Sequence, residues 1–179
     1  MKDKKIDIWA MDEVHFQQYG SRCRMWVPPE ISNPILLHQP TRKNVGYFGA
    51  VRLRDGKFVY CRERERFNAE NFFKFLRHIR HYAEGNGRRI VIIIDNAKFH
   101  HARLHKEWRE KHADQFKLEF LPPYSPDLNP CERVWKLTRR LCIHNIYFPE
   151  MDMVINSVEK QFSAWGRGNE TIRKLCAIN

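Results

Sequence analysis

Five consecutive aliphatic residues, Ile90-Val91-Ile92-Ile93-Ile94, run directly into Asp95-Asn96. A block this rich in β-branched side chains disfavours helix and suits a strand buried on both faces. A strand of that kind needs neighbours on either side and helical cover above and below. The rest of the chain offers both. Residues 6–11 read as a short strand ending at Asp12-Glu13, and residues 45–53 as a longer one. Asp55-Gly56 is a hairpin signal, and residues 57–61 return as the partner strand. The period then changes. Asn68 suits an N-cap, and Phe72, Phe73, Phe75, Leu76, Ile79 and Tyr82 recur at helical spacing until Gly85 stops the run. A basic helical stretch over 102–112, a strand over 117–121, a proline-dense loop over 122–130 and helices over 130–142 and 151–165 complete the series. The apolar segments 25–27 and 34–37 lie in a Gly/Ser/Pro-rich connection after the first strand. The order β-β-β-α-β-α-β-α-α predicts an α/β fold. Its mixed sheet combines an antiparallel meander with parallel strands and carries helices on both faces, in one domain spanning residues 1–179.

At 179 residues the chain can bury a core without a disulfide or metal staple. Thirty-two Lys and Arg against 21 Asp and Glu leave a net charge of +11, which favours a polyanionic partner. The 42% hydrophobic and 13% aromatic content excludes a disordered basic tail. No apolar run reaches the roughly 18–20 residues of a membrane span, and residues 1–5 lead into a strand rather than a signal peptide's apolar core. Cys23, Cys61, Cys131, Cys142 and Cys176 are widely spaced with no C-x-x-C pair. They suit reduced thiols in a cytosolic compartment, not a zinc ribbon or disulfide framework.

Three acids stand where elements meet: Asp12 at the end of the first strand, Asp95 at the end of the aliphatic strand, and Glu132 in the first turn of the helix after the proline loop. Sites in open α/β sheets gather where strand ends and helix starts converge. Carboxylates brought together there repel one another, and a hard divalent cation such as Mg²⁺ or Mn²⁺ compensates. Two such ions suit in-line phosphodiester displacement. Each acid also has an ordinary explanation. Asp95-Asn96 fits a turn, Asp12-Glu13 a solvated strand end, and Asn129-Pro130-Cys131-Glu132 a capping box. Spacing alone does not choose between cap and metal ligand.

The flanks add information. Ile92-Ile93-Ile94-Asp95-Asn96-Ala97-Lys98-Phe99-His100 and Leu121-Pro122-Pro123-Tyr124-Ser125-Pro126-Asp127-Leu128-Asn129-Pro130-Cys131-Glu132-Arg133-Val134-Trp135 resemble the DDE transposases of the IS630/Tc1/mariner superfamily. Asp12-Glu13-Val14-His15-Phe16 is similar to that family's first acidic motif. The resemblance spans about residues 7–165. It implies a ribonuclease-H-like fold in which Asp12, Asp95 and Glu132 are catalytic and bind two Mg²⁺ or Mn²⁺ ions. It also implies cleavage of DNA at transposon ends, strand transfer into a TA-containing target, and a homodimer in the synaptic complex. The setting it implies is a bacterial or archaeal cytoplasm, in association with the nucleoid. Family members begin with helix-turn-helix DNA-binding domains. No such region precedes Asp12 here, so the part that reads the ends is expected either on a separate reading frame, as a helix-turn-helix subunit, or to have been deleted. A non-catalytic DNA-binding or regulatory remnant and a nuclease acting on RNA–DNA hybrids are the rival readings.

Asn96 and His100 fall on positions of the family motif. Asn96 could orient the metal shell, and His100 could touch substrate phosphate or the third carboxylate. A turn asparagine and a hydrogen-bonded histidine are the alternatives. Arg133, Lys136, Arg139 and Arg140 follow Glu132 on its helix, either as DNA-phosphate contacts or as a solvated face. Trp135 reads as core, Glu13 as a strand-end residue and Asp127 as a turn residue. His101 and His105, four apart on an expected helix, lack the flanking pattern of a zinc site. The runs 62–66, 77–81 and 103–111 are candidate DNA-facing patches.

Overall fold

The computed structural model describes residues 5–31, 34, 35, 37, 40–83 and 87–178. Its five-stranded sheet contains β1 (Ile6–Gln17), β2 (Asn44–Arg52), β3 (Lys57–Glu63), β4 (Arg89–Ile94) and β5 (Phe116–Phe120), in the order β3-β2-β1-β4-β5. The first three form the expected antiparallel meander, and β4 and β5 run parallel to β1. The helices are α1 (Ala69–Ala83), α2 (Lys106–Lys111), α3 (Pro130–Cys142), α4 (Met151–Trp165) and α5 (Glu170–Leu175). None of them is long and apolar enough to cross a membrane. The stop assigned to Gly85 and part of the 34–37 segment lie outside the described residues.

Alternation along the strands divides the core in two. Trp9, Met11, Phe48, Ala50, Ile90, Ile92 and Ile94 bury against Phe72, Phe75, Leu76 and Ile79 of α1. Ala10, Val14, Phe16, Tyr47 and Val51 face the opposite way, toward Val134 and Trp135 of α3, Phe162 of α4 and Ile172 of α5. The aliphatic strand is fully covered on one face only, since Val91 and Ile93 stay half-buried. The physical reason is the placement of the second helical layer: α3 packs on β1 and β2, and α4 on β2 and β3, short of β4.

Two expectations from periodicity change. The first strand runs on to Gln17, so Asp12 lies inside it and not at its end. Pairing with β4 stops at Ala10–Ile93, but pairing with β2 continues to Gln17–Asn44, and Val14 and Phe16 keep burying apolar surface. Asp12 therefore sits just where β1 loses one of its two neighbours. The helix expected over 102–112 is instead one 3₁₀ turn, Arg103–His105, followed by the short α2, and a further 3₁₀ turn, Lys98–His101, precedes it. His100 and His105 are both fully buried. Five residues apart, they would point about 140° away from each other on one continuous helix.

The helix α5 was not signalled by periodicity, because Ile172 is its one buried side chain. It docks on the β2–β3 hairpin, where Asn169 N–H donates to the Asp55 carbonyl at 2.9 Å. Gly56 takes φ +68, and a Cβ there would stand 2.2 Å from the Asn169 carbonyl oxygen and 2.5 Å from the Arg173 nitrogen. Gly56→Ala should therefore cost about 2 kcal/mol from the left-handed backbone alone, lowering Tm by roughly 4–8 °C. A thermal melt at the wild-type Tm would show that the hairpin tip is not clamped.

Candidate active site

The neighbouring acids Asp12 and Glu13 point to opposite faces of β1, so they cannot serve one site together. Asp12 faces α3, where Trp135 Nε1–H donates to its Oδ2 at 3.0 Å. Room for that indole comes from Gly49, the residue paired with Asp12 across β2. A Cβ at Gly49 would lie 2.2 Å from Trp135 Cη2. The ring also fits edge-on against Phe58 at 5.6 Å. Trp135 follows Glu132 by three residues and so shares its helix face. That spacing was the available signal for a partner of the site where the residue type suggested only core.

The start of α3 is fixed by Asn129. Its Oδ1 accepts from Cys131 N–H at 3.1 Å as an N-cap, while its Nδ2 donates to the Met11 carbonyl at 2.9 Å. The cap thus bonds to the strand immediately before Asp12. The capping box does not close. Asn129 N–H is already given to the Pro126 carbonyl at 2.9 Å, in the turn Pro126–Leu128 that the proline loop imposes. Glu132 is therefore not recruited by the cap. It lines a cleft of about 550 Å³ together with Asp12, Asp95, Asn96, Asn129 and the loop wall 121–126.

Asp95 lies one residue past β4. Its Oδ1 accepts from Ala97 N–H at 3.0 Å and meets His100 Nδ1 at 2.9 Å. His100 Nε2 lies 3.0 Å from Glu13 Oε1. Fully buried and occupied at both ring nitrogens, His100 faces the carboxylates of Asp95 and Glu13 and is not among the residues lining the cleft. The carboxylate it meets besides Asp95 is Glu13, not Glu132. Glu13, read as a solvated strand-end residue, is instead 11% exposed and ion-paired. Sequence distance hid this contact, since 87 residues separate the two. Donor atoms of Glu13, Asp95 and His100 lie within 4.8 Å of one another, the compact metal-type cluster among the described residues. Asp12 and Glu132 are not members of it.

Asn96 supports the rim: its Nδ2 donates to the Leu121 carbonyl and its Oδ1 faces His101 Nε2 at 3.1 Å. His105 Nε2 bonds the Phe99 carbonyl at 3.1 Å, so His101 and His105 have separate partners. Asp127 is exposed in its turn. Of the four basic residues on α3, Arg133 donates to the carbonyls of Leu175 and Ala177 at 3.0 Å each, and Arg139 lies 5.7 Å over the Phe16 ring. Lys136 and Arg140 face solvent.

The electrostatics separate the two aspartates. Burial, then the charges of Glu13 and Glu132, push the Asp12 carboxyl up to about 8 against the lowering pull of the Trp135 hydrogen bond. The His100 hydrogen bond holds Asp95 below its usual range despite burial. Burial pulls the His100 imidazole down, but its bonds to Asp95 and Glu13 outweigh this and hold it at about 9. Carboxylates from three elements around one cleft, one of them strained against ionisation, are a donor set suited to a hard divalent cation.

Asp12 also makes stability depend on pH. Its unfolded pKa is about 3.9, so folding takes up a proton between that value and about 8. Stability must then fall as pH rises through this window and level off above it. Metal-free Asp12→Asn should match the wild-type chain near pH 4 and exceed it by a few kcal/mol at pH 8.5, since each tenfold change in proton affinity is worth roughly 1.4 kcal/mol. Urea unfolding at a series of pH values measures this; a pH-independent difference would contradict the assignment.

Known proteins resemble this chain in sequence and in fold. A family model described as DDE superfamily endonuclease matches residues 7–155. The uncharacterized protein y4pE/y4sA of Sinorhizobium fredii (strain NBRC 101917 / NGR234) is 33% identical over 136 residues, covering 73% of this chain and 90% of the relative. The Mos1 strand transfer complex superposes with a TM-score of 0.63 at 22% identity, over 94% of this chain and 51% of that one. The Mos1 transposase paired-end complex with left transposon end gives 0.66 at 19% identity, over 98% and 55%. The catalytic domain of Mos1 mariner transposase gives 0.54 at 18%, over 94% and 78%. The chain thus spans about half the length of the Mos1 chains in those complexes, and what it shares with them is the ribonuclease-H-like fold. With most of its length matched by the family model, the chain belongs to the DDE superfamily endonucleases.

Proposed function

We propose that the chain is the catalytic domain of a transposase that cuts DNA at transposon ends and joins the freed 3′-hydroxyl to a TA-containing target. The observation that carries this reading is the convergence of Asp12, Asp95 and Glu132 on one open cleft, from β1, the end of β4 and the first turn of α3. Asp12, Asp95 and Glu132 would hold Mg²⁺ or Mn²⁺, as two ions. The Mos1 mariner paired-end complex is known with Mn and with Mg, and bound here the ions would activate the attacking oxygen and stabilise the departing one.

The chain's own residues prepare the site. Trp135 holds one oxygen of Asp12, and His100 holds Oδ1 of Asp95, so each carboxylate is oriented before substrate arrives. Asn129 sets the depth of α3 and hence the reach of Glu132. In the cut, a water oxygen bonds to the scissile phosphorus as the bond to the 3′-oxygen breaks. In the transfer, that 3′-hydroxyl attacks a target phosphodiester and displaces the target strand's 3′-oxygen. Both are in-line exchanges at phosphorus, so one geometry serves both.

The partners in this reading are transposon-end and target DNA, a second copy in the synaptic complex, and a separate helix-turn-helix subunit that reads the ends. The setting is the nucleoid in a bacterial or archaeal cytoplasm. The Mos1 complexes with strand-transfer and transposon-end DNA lend support by analogy of fold. The test is nicking of a duplex carrying the cognate end, with Mg²⁺ or Mn²⁺ and, where required, the DNA-reading partner. Asp95→Asn should lower the rate more than about a hundredfold, since losing a metal-holding carboxylate removes several kcal/mol of transition-state stabilisation. Full nicking by Asp95→Asn would refute the assignment and favour a non-catalytic remnant.

A further inference from the structure

Tyr124 is the outlier of the cleft wall. Its side chain is fully exposed at 103%, and among the described residues nothing packs on the ring or bonds the hydroxyl. Its backbone takes φ +56 in the turn after Pro122-Pro123. Proline followed by a positive φ is the signature of a type II turn, whose third position belongs by default to glycine or asparagine. Glycine aside, the other positive-φ residue among the described ones is Asn145, which is of that tolerant kind. Tyrosine at 124 thus bears backbone strain and recovers no burial. Strain of this sort persists where the surrounding structure imposes it, and it gathers at active sites and ligand clamps.

Here the surroundings do impose it. Leu121 N–H donates to the Ile94 carbonyl at 2.8 Å, and Asn96 Nδ2 donates to the Leu121 carbonyl, so the loop begins on the end of β4. At its other end Leu128 N–H donates to the Ser125 carbonyl at 3.2 Å and Asn129 N–H to the Pro126 carbonyl at 2.9 Å. Between them Ser125 Oγ donates to the Pro123 carbonyl at 3.2 Å, and Pro122, Pro123 and Pro126 fix their own φ. The ring is therefore displayed on a stiff frame, in the cleft that also holds Asp12, Asp95 and Glu132. No lysine or arginine lines that cleft among the described residues. Its neutral polar side chains are committed elsewhere: Asn96 to Leu121, Asn129 to Met11 and Cys131, Ser125 to Pro123. With the carboxylates given to metal, the tyrosine ring and the prolines beside it are the surface left to hold a nucleotide next to the phosphate.

We infer that a nucleobase flanking the scissile phosphate at the transposon end leaves the duplex stack and lies on the Tyr124 ring. Inside a continuous duplex both faces of every base are covered by its neighbours, so the ring meets a free face only on a terminal or extruded base. Taking a base out costs unstacking and unpairing energy, least where the pair is mismatched. Stacking on an aromatic ring offsets part of that cost for any base, because every base has a π-face. Tyr124 thus positions the cut without reading sequence. An aromatic anchor for a protein partner would sit in a well-packed, desolvated patch, whereas this one shares its cleft with three carboxylates. That the ligand is DNA rests on the function proposed above; the strained, exposed ring does not depend on it.

Two measurements test this, one with cleavage and one without. In nicking of the cognate-end duplex with Mg²⁺, Tyr124→Gly should be slower by about tenfold or more, the loss expected for one aromatic–base stack. Its melting temperature should hold or rise, because glycine suits the positive φ. Tyr124→Phe, which keeps the ring, should recover most of the lost rate. Replacing the flanking base pair by a mismatch should shrink the Tyr124→Gly defect to about twofold or less. Wild-type nicking by Tyr124→Gly, or a defect equal on paired and mismatched ends, would overturn the inference. The second measurement uses a duplex ending in a single unpaired 5-iodouracil, with Ca²⁺ in place of Mg²⁺. Irradiation should crosslink that base to Tyr124, as located by peptide mapping. No crosslink, or a crosslink only to other residues, would overturn the inference even where nicking proceeds. Conversely, a chain that crosslinks at Tyr124 yet nicks no duplex would sink the proposed function and leave the base platform standing.

Discussion

The attachment of one helix end to one strand organises the site. Asn129 caps α3 with its side-chain oxygen and, with its amide nitrogen, grips the Met11 carbonyl of β1. Further along the same helix, Trp135 grips the carboxylate of Asp12 itself. Both bonds are buried, where an unsatisfied partner would cost about 1–3 kcal/mol. They fix the rotation and depth of α3 against the sheet, and therefore the distance between Asp12 and Glu132. The proline loop contributes by committing the Asn129 N–H to Pro126, which keeps Glu132 out of the cap. Gly49 contributes by having no side chain where the indole must lie.

The same geometry explains how a basic protein sustains a negative site. Strand alternation sends Asp12 and Glu13 to opposite faces, where each meets a different environment. Asp12 is left facing Glu132 with neutral donors alone, the Trp135 indole and the Glu13 backbone, and burial pushes its carboxyl up to about 8. Glu13 is matched with a cationic His100, which in turn holds Asp95 ionised. The cleft thus holds a carboxyl that resists ionisation on one wall and a prepared carboxylate on the other. A divalent cation placed between them relieves the first and uses the second. Stability given up at Asp12 is of the kind expected where function sets the local design.

Much of this could be read before any coordinates. The aliphatic run ending in Asp95, the Asp55-Gly56 hairpin, and the two long helices at Pro130–Cys142 and Met151–Trp165 follow from local pattern and are found as expected. So is the mixed sheet with helices on both faces. What escaped was set by contacts distant in the chain. The continuation of β1 past Asp12 depends on pairing with β2, and the segment expected as a helix over 102–112 opens instead on a 3₁₀ turn that buries His105. The helix α5 exists because a hairpin tip far earlier in the chain receives it. Glu13 and His100 could not be matched from sequence, and Trp135 looked like core because it is core as well as donor.

Everything proposed for the site depends on where a divalent ion would sit. Two donor sets compete for it, the open cleft of Asp12, Asp95 and Glu132 and the compact Glu13–Asp95–His100 cluster, with Asp95 common to both. Anomalous scattering from crystals soaked in Mn²⁺ distinguishes them directly. Manganese is expected in the cleft, bonded at about 2.1 Å to oxygens of Asp12, Asp95 and Glu132, with His100 still bridging Asp95 and Glu13. Manganese bound instead to the nitrogen of His100 and to Glu13, with Asp12 and Glu132 bare, would contradict the cleft as the catalytic centre.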